Sequence, residues 1–155
     1  MSYQIYCDGS CTISKNCVGG WAYIILKDGQ EIERNCGGVL TTTNQKMELF
    51  SAVKALEALE KEDFYTEKVE VFSDSAYLVN CYLQKWWKTW LANSWKNSNK
   101  KPVANQGLWE RLIPFFKLTN VTFNKVKGHS DNELNNECDK MAQNAKKMLI
   151  GEIND

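Results

Sequence analysis

The sequence predicts an α/β fold: a mixed five-stranded sheet, its first three strands antiparallel, flanked by helices. Two observations predict the class. The N-terminal third alternates or runs apolar at strand spacing and is punctuated by short turn signals. The remainder then alternates helical periodicity with short strands, giving the order βββ-α-β-α-α-β-α, in which later strands join through helical crossovers.

The elements follow in order. "YQIYCD" sets Tyr3, Ile5 and Cys7 against Gln4, Tyr6 and Asp8, and "GWAYIIL" reads as a strand buried on both faces. "KDGQ" supplies an Asp28-Gly29 hairpin turn into "EIERNCGGVL". After "TTTN", residues Met47, Phe50, Val53, Leu56 and Leu59 recur at helical spacing. "KVEVFSD" is a short strand, and "SAYLVNCYLQKWWKTW" is helical. "NQGLWERLIPFF" is a further helix with an interruption expected at Pro114. "NVTFNKVKG" closes the sheet and "NECDKMAQNAKKML" closes the chain as a helix.

Composition narrows the function classes. The 155 residues suffice for one domain, 1–155, with its own core. No stretch approaches the roughly 18 apolar residues of a membrane span, and "MSYQIYCDGS" lacks a signal-peptide pattern. The cytoplasm is the expected compartment. Six cysteines without a CxxC pair, beside a single histidine, argue against a zinc site. Reduced, mostly buried thiols are expected rather than a disulfide framework. Net charge is zero, yet no Asp or Glu occurs from Ser75 to Trp109. Within that run, residues 85–101 carry five lysines and four of the six tryptophans, a local cationic surface that a polyanion would feel.

Four acids stand where ligand sites form. Asp8 ends the first strand, Asp74 ends the fourth, Glu48 lies in the first turn of the first long helix, and Asp139 near the start of the last. Brought together, they would raise one another's pKa unless a cation intervened. Oxygen-only ligands favour a hard ion, Mg²⁺ or Mn²⁺. Paired ions about 3.5–4 Å apart can activate water in phosphodiester hydrolysis, so a nuclease is expected. Each acid also has a bland reading: Asp8 as a turn residue, Glu48 as a complement to the helix dipole, Asp74 as an N-cap, Asp139 as a solvated first-turn acid. The lone His129, in the polar stretch "VKGHSDNELNNECD", could be an idle loop residue.

Order and joint presence decide. "YCDGSC", "TTTNQKMEL", "SDSAYLV", "SWKNSNKKPVANQGLWERL" and "VKGHSDNELNNECD" occur in the arrangement of the ribonuclease H family, type 1, which the chain resembles over nearly its whole length. The resemblance implies a ribonuclease H-like fold and endonucleolytic hydrolysis of the RNA strand of RNA/DNA hybrids, leaving 5′-phosphate and 3′-hydroxyl ends. It implies two Mg²⁺ ions, with Mn²⁺ substituting, held by Asp8, Glu48, Asp74 and Asp139. It identifies His129, in a mobile loop over 127–138, as a catalytic residue aiding proton transfer or product departure. Asp131, Glu133 and Glu137, if close, would favour its protonated form.

The substrate contacts follow by the same resemblance. Gly9, Ser10, Cys11, Asn44 and Gln45, with Glu48, face the RNA strand, where an amide can read a 2′-hydroxyl. Residues 85–101 form a basic protrusion towards the DNA strand, with Lys96, Lys100 and Lys101 attracting phosphate. Trp86 and Trp90 offer flat faces to it, although their spacing also suits packing onto the body. Thr43 and Asn105 resemble a pair that holds a DNA phosphate.

The chain departs from the family pattern at three places. "CTISKNCVGG" keeps only Gly19 and Gly20 of a glycine-rich turn, Ala76 stands where many members have Gln, and "TWLANSW" lacks a basic cluster, so weaker hybrid binding is expected. A monomer with no obligatory protein partner and no membrane association is expected. The rival readings are a non-catalytic hybrid-binding module of the same fold and another nuclease of that fold.

Overall fold

The computed structural model describes residues 1–12, 17–127 and 132–154. Its five strands are β1 (Ser2–Cys11), β2 (Gly19–Lys27), β3 (Gln30–Val39), β4 (Lys68–Ser73) and β5 (Val121–Lys125). They form one sheet in the order β3-β2-β1-β4-β5. The pairs β1–β2 and β2–β3 are antiparallel, whereas β4 joins β1 and β5 joins β4 in parallel, so the sheet is mixed as the sequence predicts. Asp28 and Gly29 turn β2 into β3 with φ of 50° and 83°, the positive values that a two-residue hairpin needs.

The described residues also form five helices, α1 (Asn44–Leu59), α2 (Ala76–Gln84), α3 (Trp86–Ala92), α4 (Gln106–Phe116) and α5 (Glu133–Asn154), of which all but α3 pack on the sheet. The unbroken apolar run of β2 follows from having helices on both sides. Trp21, Tyr23 and Ile25 enter the main core with Leu49, Val53, Leu56 and Trp109, while Ala22, Ile24 and Leu26 meet Cys138 and Ala142 of α5. Close approach of α5 depends on Gly20, where a Cβ would collide with the Ala142 carbonyl. At the free edge, β3 exposes Glu31 and Arg34 and pairs them with each other, charges that discourage strand addition.

Three expectations change here. The helix expected across "SAYLVNCYLQKWWKTW" divides at Lys85, which adopts the left-handed conformation (φ 56°, ψ 41°). The break re-aims the chain so that Trp87 buries in the core, while Trp86 and Trp90 remain half-buried. Pro114 does not interrupt α4, which runs through it to Phe116. A proline so close to the end removes one ladder bond only. The last helix starts at Glu133, because the Asn132 side chain accepts the Asn135 N–H at 3.0 Å as an N-cap. Residues 133–138 are therefore helical rather than part of a loop.

The thiols also differ from expectation. Cys11 and Cys17 form a disulfide, with Cα atoms 5.8 Å apart, and Cys36 is exposed; Cys7, Cys81 and Cys138 are buried and free. Sequence spacing could not show that the end of β1 returns at Cys17, which is a matter of strand register. Among the described residues no helix is long and apolar enough to cross a membrane.

Candidate active site

Strand register brings the first two acids together. The last parallel rung between β1 and β4 pairs Tyr6 with Phe72, and two residues beyond it on each chain stand Asp8 and Asp74. A parallel pair thus delivers two carboxylates side by side at its C-terminal end, the position where open α/β sheets gather ligands. Asp74 does not cap α2. That role belongs to Ser75, whose Oγ accepts the Leu78 N–H at 3.1 Å.

Glu48 arrives from α1 through a close backbone approach. A Cβ on Gly9 would collide with the Met47 carbonyl group and lie 2.7 Å from the Glu48 nitrogen. Only glycine lets α1 seat directly on β1, with the Glu48 backbone against the residue that follows Asp8. The helix begins at Asn44 with Thr43 as N-cap, so Glu48 stands one turn inside rather than in the first turn. Dipole complementation therefore does not account for it. Its Oε2 accepts a hydrogen bond from Ser75 Oγ at 2.7 Å.

Asp139 comes from α5. Its neighbour Cys138 is fully buried with Sγ 3.3 Å from the Tyr6 carbonyl, which pins that turn of α5 onto β1. The carboxyl group of Asp139 lies within hydrogen-bonding reach of Asp8.

The electrostatics record the crowding. Asp8, 6% exposed, has its pKa pushed up to about 9. Burial is the main cause, followed by the charge of Asp74 and the hydrogen bond and charge of Asp139, against which the Gly9 N–H works. Burial also raises Glu48, the Ser75 hydrogen bond opposes this, and the Asp74 charge adds to it. Among the described residues no Lys or Arg forms an ion pair with any of the four acids. The acids meet in pairs, and among the described residues no three His, Cys, Asp or Glu side chains form a ready-made metal cage. A buried Asp8 flanked by half-buried carboxylates, with no cationic side chain paired to any of them among the described residues, suits a hard divalent cation which keeps part of its water shell.

The remaining predicted residues fall into two groups. Along the end of β1, Gly9 is buried, Ser10 Oγ accepts from Gln143 Nε2 at 3.2 Å, and the Cys11 N–H donates to Asn44 Oδ1 at 2.7 Å. Gln45 is exposed beside them in sequence. Thr43 Oγ1 accepts the Lys46 N–H at 3.1 Å. A groove of 220 Å³, lined by Thr41, Thr42, Lys46, Phe50 and Leu108, opens between the starts of α1 and α4. Thr43, the N-cap of α1, adjoins it in sequence, and Asn105 precedes α4 with φ 62°.

In the Lys/Trp segment, Trp86 and Trp90 pack partly on the core with ring centroids 6.4 Å apart, and Lys96, Lys100 and Lys101 are exposed. His129 and Asp131 lie outside the described residues. Glu137 is engaged elsewhere, paired with Arg34 at 2.7 Å.

Two residues escaped the sequence reading. Ser75 joins the cap of α2 to Glu48, and its signal was the serine in "SDSAY" one place after the acid. Tyr77 accepts from Asn105 Nδ2 and from Trp109 Nε1, each at 3.3 Å, and so orients Asn105. No sequence signal marks that contact.

Fold and acids together fit a class, the phosphodiester hydrolases built on a mixed sheet with paired carboxylates beside its central strands. Comparison with known proteins narrows the class. The RNase H family model matches residues 1–147. A ribonuclease H of Chlorobaculum parvum is 46% identical over 139 residues, covering 90% of this chain and 91% of that protein. One from Syntrophomonas wolfei is 41% identical over 145 residues, covering 94% and 96%. Among solved structures, a foamy viral protease-reverse transcriptase in complex with RNA/DNA hybrid shares the fold with a TM-score of 0.81 at 17% identity, covering 94% of this chain and 20% of that one. The chain belongs to the ribonuclease H family. It is a hydrolytic nuclease acting on the RNA strand of RNA/DNA hybrids, in a family that depends on divalent metal.

Proposed function

We propose that the chain, as a single domain and a monomer, cuts the RNA strand internally and leaves 5′-phosphate and 3′-hydroxyl ends. In this reading two Mg²⁺ ions, replaceable by Mn²⁺, are held by Asp8, Glu48, Asp74 and Asp139. The observation that carries it is Asp8 crowded by Asp74 and Asp139 with no cationic side chain among the described residues to offset them. When bound, the ions supply the charge that activates a water and stabilises the departing oxygen.

The protein's own part is positioning. Asp8 gives up its tightly held proton as compensating charge arrives. Ser75 fixes one oxygen of Glu48 and leaves the other free to act as a ligand. Asn44, with its oxygen held by the Cys11 N–H, keeps its amide N–H groups free to donate to a 2′-hydroxyl. Lys96, Lys100 and Lys101 attract the DNA strand, Trp86 and Trp90 present their exposed edges to it, and Thr43 and Asn105 bracket one phosphate. His129 passes a proton to the leaving group or helps product depart, as its counterpart does by resemblance.

The test is selectivity in Mg²⁺ among matched hybrid, RNA duplex, DNA duplex and DNA junction. Cleavage confined to the RNA strand of the hybrid is expected. Comparable cutting of the RNA duplex contradicts 2′-hydroxyl discrimination, and hybrid binding without cutting restores the binding-module reading.

A further inference from the structure

The disulfide Cys11–Cys17 links the end of β1 to the residues just before β2, and the proposed chemistry makes no use of it. Its position is what matters. The Cys11 N–H donates to Asn44 Oδ1 at 2.7 Å, and the Cys17 carbonyl accepts the Thr42 N–H at 2.8 Å. The two bridged residues therefore grip the chain on either side of Thr43, the N-cap of α1. Beside the bridge, the Thr12 N–H donates to the Val18 carbonyl at 2.9 Å, and the Val18 N–H donates to Thr12 Oγ1 at 3.1 Å. The bridge spans a sequence separation of only six, where constraint of the unfolded chain is small, so its effect is local. Both cysteines are half-buried and within reach of a soluble thiol, unlike Cys7, Cys81 and Cys138.

We infer that the Cys11–Cys17 disulfide is a redox-sensitive strut that sets the affinity of the groove for the RNA strand. The inference rests on the proposal that Cys11 and Asn44 line that groove. With the bridge closed, the two grips on residues 42 and 44 move as one body, and the Asn44 amide is presented in a single orientation. A dithiol reductant opens it by exchange: the protein S–S bond breaks, a disulfide forms within the reductant, and two protons and two electrons pass to Cys11 and Cys17 as thiols. The two grips then move independently, and substrate must order them on binding. The acids stay in place, because Asp8 and Asp74 are set by the β1–β4 register and Glu48 by the seat of α1 on Gly9. Reduction therefore weakens binding and leaves turnover unchanged.

The experiment uses the full chain in two redox states, verified by alkylation in denaturant. Four of the six cysteines should be blocked without reductant and all six after it. Affinity is read from the anisotropy of a fluorescent RNA/DNA hybrid without divalent metal, and turnover is read separately in Mg²⁺. Reduction should weaken affinity about two- to tenfold, the worth of one ordered hydrogen bond, with kcat unaltered. The Cys17→Ser variant should match the reduced protein in either state, and Cys36→Ser should keep the full response. Equal affinity in verified states, or six free thiols without reductant, overturns the inference while cleavage persists. Absence of hybrid cleavage in both states overturns the functional proposal, and the affinity comparison still judges the strut.

Discussion

Ser75 donates its hydroxyl proton to Glu48 Oε2 at 2.7 Å while accepting the Leu78 N–H at 3.1 Å, so one side chain caps α2 and orients a carboxylate on α1. Replacing it with alanine removes both bonds. Ser75→Ala is expected to raise the Mg²⁺ concentration for half-maximal activity about tenfold, as loss of a ligand's supporting partner does. It should also lower stability by about 1 kcal/mol through the lost cap. Ser75→Thr should preserve both. An Mg²⁺ requirement unchanged in Ser75→Ala would leave the serine as a cap alone.

Asp8 gives a signed pH dependence. Its folded pKa, about 9, lies above its ordinary 3.8, so the folded state holds the proton more tightly than the unfolded chain. The stability associated with that proton is fully present below the ordinary value and is lost as pH rises through the folded one. Without divalent metal, Asp8→Asn should melt about 2–6 °C above the wild type at pH 8, with a smaller gap at pH 5. Mg²⁺ should narrow the gap by stabilising the wild type. A variant that melts lower at pH 8 would contradict the crowding.

Gly9 and Gly107 make a matched pair. A Cβ at Gly9 strikes the α1 backbone at Met47, whereas one at Gly107 meets open space. Gly9→Ala should lose about 2–3 kcal/mol in urea denaturation, since backbone cannot move aside as a side chain can. Gly107→Ala, inside α4, should gain about 0.5–1 kcal/mol. Equal responses would mean that α1 does not rest on Gly9 as described.

The protrusion is open to a salt titration. Replacing Lys96, Lys100 and Lys101 by glutamine should flatten the slope of log affinity against log salt by about 2–3, a little under one unit per lost phosphate contact. Turnover at saturating substrate should be retained. An unaltered slope would place the DNA strand elsewhere.

Much of this was legible in the residues. Asp74 directly follows a strand whose period-2 pattern is plain, whereas β1 runs three residues past Asp8, which its sequence pattern had placed at the strand end. Both acids still lie just beyond the last β1–β4 parallel rung. Glu48 and Asp139 follow from helical spacing on either side of the sheet. The left-handed Lys85 was not legible, because neither glycine nor proline marks the break and the burial of Trp87 decides it. The Cys11–Cys17 pairing was hidden for a different reason. Composition argued for free thiols, and only the β1–β2 register, with Cys11 opposite Gly19, brings the two sulfurs together. Ser75 was overlooked because Asp74 beside it competed for the same capping position.

The account stands most directly on one comparison, the cleavage of an end-labelled RNA/DNA hybrid in Mg²⁺ by the wild type and by Asp74→Asn, each purified identically and shown to bind the hybrid. The prediction is internal cutting of the RNA strand by the wild type, with a loss of at least about 10²-fold in kcat and retained binding in the variant. Equal cutting by both proteins would contradict the four-carboxylate site.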